Sequence, residues 1–535
     1  MVEQSGGTAG TVRLSRSVAR WGYAVYSLRY LGFQNGNSAG NPDSHAASCL
    51  YGLDANPNVR RIEPSAPRLS LRRGNLVSGS TSPIRAESAR ANSDQLIKEL
   101  KEVRQRTLEL VADLSDEQMI GPRLAIVNPL RWEFGHLAWF QEHWVLCHLR
   151  GLPPLLSDGD SFYDSARVAH DTRWDLPLPS KAETLEYMQR ILERITEEHG
   201  RGGTPANVEG YDEAYFLELS VMHERMHAEA FTYTRQTLAY PPPAFSIVKA
   251  ATQAPQKPGT GGATQGAGKL GDVHIPGGAF ELGSAPRASF VFDNEQWAHP
   301  VSVAPFAIAR CAVTNAEFAA FVEDGGYRRS ELWTADGWRW RESTRAEHPV
   351  YWQREPAGRW LRRNFDSFVP LEDRLPALHV NWYEASAYCR WAKRRLPTEA
   401  EWEMAASAEP GSQGEAFSHR KRAFPWGDDA TPERANLDSR AMGCVEVDAL
   451  PAGDTGFGCR QMIGNTWEWT ASDFGPYPGF VPGPYKEYSE PWFGDHKVLR
   501  GGCWATSSRL IHNTYRNFYR PERRDVWAGF RTCAI

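Results

Sequence analysis

Four segments in the first half of the chain place apolar residues at the three- and four-residue spacing of a helix buried on one face. The first begins near Asn92, a suitable N-cap, and the second begins at Asn128-Pro129, a cap followed by proline. The third starts with a capping box at 180–183, and the fourth covers about 210–238. The residues expected to form the buried faces are Leu96, Leu100, Val103, Leu110, Leu114, Leu185, Met188, Leu192, Ile195, Phe216 and Leu219. Four long helices with intervening loops predict an antiparallel bundle.

The second half of the chain has a different pattern. Three prolines at 241–243 end the fourth helix, and the following stretch at 250–268, rich in Gly, Ala, Thr, Gln and Pro, is typical of a flexible linker. Short strands and glycine turns are then expected, as at 275–280 and 313–318, together with one helix at 382–393. These patterns predict an irregular α+β domain with many loops.

The N-terminal segment differs in composition from the rest. Residues 1–90 contain eleven arginines, five acidic residues and no lysine, with little periodicity. Such a segment is typical of a transit peptide, of a disordered extension, or of translation from an upstream start codon. Because it lacks a convincing amphipathic helix, we expect a disordered or artefactual extension at 1–91. The bundle would then cover 92–245, the linker 246–271 and the α+β domain 272–535.

Charge and cysteine content narrow the classes of partner and compartment. The 60 basic and 65 acidic residues are near balance, so neither nucleic acid nor a membrane surface is indicated as a partner. The chain contains no run of 18 apolar residues. Its eight cysteines are scattered without CxxC pairs, which fits a reducing compartment and predicts a cytoplasmic protein. Twenty tryptophans indicate a loop-rich domain or a pocket for a cationic ligand.

Three histidines in the helical half form a candidate metal site. His223 and His227 are four residues apart, so both imidazoles project from one face of the fourth helix. His136 lies in the second helix and would complete a facial triad with positions left open for substrate and O2. Imidazole ligands suit iron, zinc, copper or nickel, and bundle cores are a usual location for such sites.

The order His223-Glu224-x-x-His227 is also typical of zinc metalloproteases, in which the glutamate is the general base. The metzincin continuation requires glycine at 230 and histidine at 233, but this chain has Ala230 and Tyr233. A downstream glutamate ligand stays open, so a zinc metalloprotease is kept as an alternative.

Five short motifs are spread over the second half of the chain. They are His379-Val380-Asn381-Trp382, Arg395-Leu396-Pro397-Thr398-Glu399, Gly464-Asn465-Thr466-Trp467-Glu468-Trp469, Leu499-Arg500-Gly501-Gly502 and Gly529-Phe530-Arg531. They resemble the formylglycine-generating-enzyme/sulfatase-modifying-factor domain, which has a C-type-lectin-like fold. The resemblance implies the fold more strongly than a function, because several enzymes and binding modules use this domain.

The combination of this domain with a three-histidine bundle resembles the ergothioneine-pathway sulfoxide synthases and their sister group, the selenoneine synthases, over residues 92–535. The resemblance implies a DinB-like four-helix bundle, and hence a multidomain α and α+β fold. It also implies a mononuclear non-heme iron(II) enzyme that uses O2 to join sulfur or selenium to the imidazole C2 of hercynine (trimethylhistidine). The Fe2+ ligands would be His136, His223 and His227.

The paired tyrosines of that family match Tyr485 and Tyr488, and its Arg-Asn-Trp sequence matches 516–518. The resemblance implies that Tyr485 is catalytic, as the donor of a proton or hydrogen atom in the oxygen chemistry. Tyr488, Asn517 and Phe518 are implied to bind hercynine, whose quaternary ammonium is recognised by aromatic faces.

Three departures from the family pattern concern the sulfur or selenium donor. Bacterial synthases that use γ-glutamylcysteine hold its carboxylates with two arginines three residues apart, and here those positions are His170 and Arg173. Where the family has Asp, this chain has Tyr519, although Arg523 remains. Where the family has Gln before the last iron-binding histidine, this chain has Met226. A site with one fewer fixed cation suits a neutral polyol better than a dianionic peptide. We therefore expect a selenosugar donor, with γ-glutamylcysteine or cysteine as the alternative.

Two other classes of protein stay open as alternatives. A formylglycine-generating enzyme needs paired metal-binding cysteines near its C-terminus, and Cys503 and Cys533 do not resemble that arrangement. A non-catalytic binding module is the second, because lectin-like domains also occur without enzymatic activity.

Overall fold

The computed structural model describes residues 83–201, 207–245, 271–286, 290–411 and 416–535. The elements of the helical half are α1 (Pro83–Val111), α2 (Asp116–Ile120), α3 (Leu130–Gln141), α4 (Gly159–Tyr163), α5 (Lys181–Gly200), β1 (Asn207–Val208), β2 (Tyr211–Asp212) and α6 (Glu213–Thr237). A π-helical segment, Glu142–His148, extends α3. The long helices α1, α3, α5 and α6 form the predicted bundle.

Local capping determines where these helices begin. The hydroxyl of Ser180 accepts the backbone N–H of Glu183, and the Glu183 carboxylate accepts the backbone N–H of Ser180 at 2.8 Å, which confirms the predicted capping box of α5. The side chain of Asp212 caps α6, so this helix starts at Glu213, three positions after the predicted Gly210. Helix α1 begins at Pro83 rather than near Asn92.

Helix α6 is the element shared by both halves of the molecule. It packs on α1 and α3 within the bundle, and its other face contacts the second domain. There the indole of Trp467 donates to Glu229 at 2.7 Å, and the indole of Trp527 donates to Thr232 at 2.8 Å. The helix that carries two of the three histidines is therefore fixed by buried hydrogen bonds to the domain beside it.

The second domain combines short strands with long connections. Its strands are β3 (Asp272–Ile275), β4 (Gly278–Leu282), β5 (His299–Val303), β6 (Phe306–Ala309), β7 (Trp352–Arg354), β8 (Trp360–Asn364), β9 (Ser367–Pro370), β10 (Arg394–Arg395), β11 (Ala408–Pro410), β12 (Phe417–Lys421), β13 (Trp467–Asp473), β14 (Lys497–Arg500), β15 (Asn517–Tyr519), β16 (Ala528–Gly529) and β17 (Cys533–Ala534). One four-stranded sheet has the order β15-β14-β13-β16, and another has the order β10-β17-β6-β3. In the first sheet, β16 runs parallel to β13 and the other pairs are antiparallel. The long connection from β13 to β14 carries Tyr485 and Tyr488.

The helices of this domain are α7 (Asn315–Glu323), α8 (Ala335–Thr344), α9 (Trp382–Trp391) and α10 (Glu399–Ser407). The expected helix at 382–393 is present as α9, capped by Asn381. The expectation of strand structure at 313–318 is wrong. Thr314 and Glu317 form a capping box that starts α7, and the helix buries Phe318 and Phe321.

The multidomain α and α+β architecture is confirmed. The expected N-terminal extension at 1–91 and linker at 246–271 lie almost wholly outside the described residues. Within the part of the chain that is described, no helix has the length and apolar character required to cross a lipid bilayer.

Candidate metal centre

The three predicted histidines converge in the bundle core. His136 comes from α3, and His223 and His227 come from successive turns of α6. Their ligand nitrogens all lie within 4.8 Å of one another, and the Nε2 atoms of His136 and His223 are 3.3 Å apart. These residues are called the three-histidine site below.

Neighbouring groups fix the orientation of each imidazole. Nδ1 of His136 donates to the backbone carbonyl of Tyr163 at 2.7 Å, so its Nε2 is the nitrogen left to bind a metal. Nδ1 of His227 lies 2.6 Å from Oε1 of the buried Glu133, which leaves Nε2 in the same way. The ring of His223 stacks on Phe140 with 3.6 Å between centroids. Each ligand is thus held by a partner that a metal would not displace.

The electrostatics of the site favour neutral imidazoles. Burial lowers the pKa of both His136 and His223 well below the ordinary range, and the neighbouring His227 lowers both further. Neutral imidazoles with unshared electron pairs directed at one point repel each other unless a cation lies between them. The donor set therefore fits a divalent transition metal.

Glu224 is not available as a protease base. Its carboxylate accepts from Nε of Arg104 at 2.9 Å and from the amide of Gln141 at 2.6 Å, and it is fully buried. The ion pair lies on a different side of α6 from the histidines, since adjacent helical residues are rotated by about 100°. This geometry argues against the zinc metalloprotease alternative.

Tyr485 reaches the site from the second domain. Its ring centroid is 5.9 Å from that of His223 and 5.0 Å from that of Phe140. Its side chain also hydrogen-bonds Ser165. Burial raises the pKa of Tyr485 above its ordinary value, so the phenol keeps its proton at neutral pH.

An aromatic cluster continues from Tyr485. The ring of Tyr488 lies 6.0 Å from Tyr485, 4.5 Å from Phe292 and 5.7 Å from Phe518, and its hydroxyl is 3.2 Å from that of Tyr515. Tyr488 and Phe518, predicted separately from sequence, are therefore neighbours. In contrast, the side-chain oxygen of Asn517 accepts the backbone N–H of Phe518, a contact within its own strand.

The residues predicted to bind the donor lie beside the bundle. Arg173 donates to the side chain of Asn128 at 2.7 Å and covers the ring of Trp132 at 3.7 Å. Trp132 in turn stacks on His136 with 5.0 Å between centroids. The charges of Arg173 and Arg523 both act on His170.

The remaining donor-side residues connect the two domains. Arg523 forms a two-pronged ion pair with Asp525, with both distances 2.7 Å, and lies over the ring of Tyr519. Tyr519 hydrogen-bonds Tyr233 of α6. Met226 is half-buried on α6 and packs against the core. The functional roles of these residues stay predictions.

Sequence reasoning missed Glu133, Phe140 and Trp132 as partners of the histidines. Glu133 and Phe140 lie three residues before and four residues after His136, so the helical spacing already placed them on the same face. This helical spacing is the sequence signal that places Glu133 and Phe140 beside His136. Which histidine each residue contacts depends on how α3 packs against α6.

Two family models match the chain. The DinB superfamily matches residues 99–230, and the sulfatase-modifying factor enzyme 1-like domain matches residues 263–534. The hercynine oxygenase of Mycolicibacterium thermoresistibile is 34% identical over 467 residues, covering 85% of this chain and 96% of the relative. The chain belongs to the hercynine oxygenase family, the sulfoxide synthases of the ergothioneine pathway.

A second hercynine oxygenase, from Mycolicibacterium smegmatis, is 33% identical over 449 residues, covering 82% of this chain and 98% of the relative. The formylglycine-generating enzyme of Streptomyces coelicolor is 32% identical over 286 residues, covering 48% of this chain and 83% of that enzyme. Members of the hercynine oxygenase family thus match both halves of the chain, whereas the formylglycine-generating enzyme matches about half of it. The resemblance to the sulfoxide synthases is confirmed.

Proposed function

We propose that this chain is an O2-dependent non-heme iron(II) oxidoreductase that acts on hercynine. The observation that carries the proposal is the three-histidine site with a protonated tyrosine, Tyr485, beside His223. His136, His223 and His227 would hold Fe2+ through three neutral nitrogens and leave coordination positions open. The bound iron would supply the activation of O2. The relatives named hercynine oxygenase support hercynine as the substrate.

Aromatic side chains would bind the quaternary ammonium of hercynine. A trimethylammonium group has no N–H to donate, so it is recognised by the faces of aromatic rings. The cluster of Tyr488, Phe292 and Phe518 offers such faces next to Tyr485. We assign the binding of hercynine to this cluster, with Asn517 at its edge.

Tyr485 would provide the proton. Its hydroxyl is protonated at neutral pH because burial raises its pKa, and its ring lies against the ligand His223 and Phe140. The second domain thus brings a proton donor to a metal site built by the first.

The donor would be a neutral selenosugar. The guanidinium of Arg523 is bound by Asp525, and that of Arg173 donates to Asn128 and to the carbonyl of Val168. Burial lowers the pKa of His170, so this residue is uncharged at neutral pH. Arg173, which donates to neutral groups, is therefore the one of these three residues that keeps a positive charge for the carboxylates of γ-glutamylcysteine, which favours a polyol over a dianionic peptide. The enzyme would then join selenium to the imidazole C2 of hercynine.

A competition experiment tests the donor. The iron-loaded protein is given limiting hercynine with equal concentrations of a 1-selenosugar and γ-glutamylcysteine above pH 7, and the products are separated by mass spectrometry. Because His170 replaces an arginine of the family, γ-glutamylcysteine loses one charge-assisted hydrogen bond of about 1.5–3 kcal/mol. We therefore expect the selenium product to dominate by roughly ten- to a hundred-fold. His170→Arg should shift use toward γ-glutamylcysteine. A dominant sulfur product from the unmodified protein would make the enzyme an ergothioneine-type synthase and leave the iron assignment intact.

A further inference from the structure

A cavity of about 750 Å³ lies between α1, the start of α6 and the second domain. Tyr215, Glu218 and Met222 face it from one side of α6. At about 100° per residue, His223 and His227 are rotated by about 140° and 180° from Glu218. The cavity therefore lies on a different side of this helix from the three-histidine site, with Glu218 roughly opposite the histidines.

One wall of the cavity is a continuous aromatic surface. The ring centroids of Tyr211 and Tyr215 are 4.4 Å apart, those of Tyr215 and Phe290 are 5.5 Å apart, and those of Phe290 and Phe292 are 5.1 Å apart. Phe424 adds a further ring to the lining. Such a wall provides π faces for an alkylated cation.

Two carboxylates of the lining, Glu218 and Glu295, have oxygens that can face a bound cation. Glu218 forms no side-chain hydrogen bond or ion pair among the described residues. Burial together with the charge of Glu99 raises its pKa to about 7, and the charges of Arg509 and Arg225 oppose this rise. Glu295 is fully buried, and its Oε2 contacts His512 at 3.1 Å and Thr514 at 2.9 Å. Its Oε1 has no hydrogen-bond partner in the part of the chain that is described. A buried acceptor without a donor is costly, and a bound cation offsets that cost.

The positive groups around the cavity are already paired. Arg509 and Arg225 both form ion pairs with Glu99, and His512 pairs with Glu295. The lining contains four acidic side chains, Glu99, Asp212, Glu218 and Glu295, and two basic ones, Arg509 and His512, so the acidic groups outnumber the basic ones. Within the described residues, the group of side chains close enough to bind a metal ion is the three-histidine site, so this cavity does not offer a metal cage.

We infer that this cavity binds a small organic cation of the methylated-ammonium class, with its charge toward Glu218 and its methyl groups on the aromatic wall. An aromatic wall beside Glu218 discriminates such a cation from a hydrated metal ion, which requires several oxygen ligands. It also discriminates against anions, because the acidic side chains of the lining outnumber its basic ones. The site shares Phe292 with the aromatic cluster proposed for hercynine, whereas Tyr215 and Glu218 belong to this cavity and not to that cluster.

Calorimetry with two matched probes tests the inference on the full metal-loaded chain. Choline carries the trimethylammonium group, and 3,3-dimethylbutan-1-ol is its neutral isostere of the same shape. Choline is expected to bind at least about tenfold more tightly than the isostere, and Glu218→Gln is expected to weaken choline binding by about tenfold. Glu186→Gln, an exposed substitution on α5, is the charge-matched control and should bind choline as the unmodified protein does.

A second variant, with a folding control, distinguishes a loss of choline binding from a loss of folding. Tyr215→Leu removes one face of the wall and should weaken choline binding by several-fold, with the melting temperature measured in parallel to show that the variant is folded. Absence of choline binding, equal binding of the neutral isostere, or unchanged binding by Glu218→Gln would each overturn the inference. If choline binds only at the aromatic cluster around Tyr488, Glu218→Gln leaves its binding unchanged, and this result also overturns the inference.

Discussion

Oε1 of Glu133 lies 2.6 Å from Nδ1 of His227, so a buried carboxylate of α3 fixes the tautomer of an imidazole on α6. Such carboxylate–histidine pairs raise the basicity of the ligand and typically contribute 10–100-fold to metal affinity. We predict that Glu133→Gln lowers Fe2+ affinity by about that factor, measured anaerobically by competition with a fluorescent chelator. Glu186→Gln serves as the control on the same bundle. Unchanged affinity in Glu133→Gln would show that the pair has no role in metal binding.

The second prediction concerns Tyr485. Removal of its hydroxyl should lower product formation by about 10²–10⁴-fold, as expected for loss of a general acid, while hercynine binding changes little. Tyr485→Phe is compared with Tyr477→Phe, because Tyr477 is a buried tyrosine that contacts Arg516 instead of the three-histidine site. The rates are measured as single turnovers, and the dissociation constant of hercynine is measured by calorimetry. A normal rate in Tyr485→Phe would assign the proton to another group, with Tyr488 the nearest candidate.

The third prediction concerns the buried ion pair of Arg104 and Glu224. Removal of one partner leaves an uncompensated charge in the core, which typically costs about 3–5 kcal/mol. Arg104→Met should therefore lower the free energy of unfolding by about that amount in urea titrations. Lys101→Met, an exposed change on the same helix, should have little effect. Addition of Glu224→Gln to Arg104→Met should recover part of the loss.

The same pair distinguishes the proposed function from a protease. Glu224→Gln should keep iron affinity and product formation within a few-fold, because the carboxylate faces Arg104 and Gln141. A loss as large as that expected for a general base, about 10²–10⁴-fold, in a variant that is still folded would restore the metalloprotease alternative.

The fourth prediction is a pH dependence of stability. The pKa of Glu218 is raised from its ordinary value of 4.5 to about 7, so the folded protein binds this proton more tightly than the unfolded chain. The stabilisation from that proton is fully present below about pH 4.5 and is lost as the pH rises through about 7. Glu218→Gln does not titrate, so its melting temperature should rise relative to that of the unmodified protein between pH 5 and pH 8. A melting-temperature difference between the two proteins that stays constant from pH 5 to pH 8 would contradict the raised pKa of Glu218.

Much of the fold follows from sequence patterns that act locally. Helical spacing and the cap at Ser180 predict α5, and the i, i+4 spacing of His223 and His227 predicts one ligand face. The segment 313–318, expected as a strand, begins a helix because Thr314 and Glu317 form a capping box, which is also a local sequence pattern.

The contacts between distant segments are not predictable in the same way. The pairing of Glu224 with Arg104 joins residues 120 positions apart, and no local pattern distinguishes it from a catalytic glutamate. The ion pair that neutralises Arg523 and the hydrogen bond between Trp467 and Glu229 likewise depend on how the domains pack. Sequence motifs predict residues of the site, and packing decides which charges remain free.

The most direct test of the central claim is metal-dependent turnover of hercynine. The protein is loaded anaerobically with Fe2+ or with Zn2+, exposed to air with hercynine and a sulfur or selenium donor, and examined by mass spectrometry. We predict a product with a new carbon–chalcogen bond with Fe2+ only, and loss of both iron and product in His136→Ala, His223→Ala and His227→Ala. Equal product formation with Zn2+, or full activity after loss of His136, would contradict the three-histidine iron site.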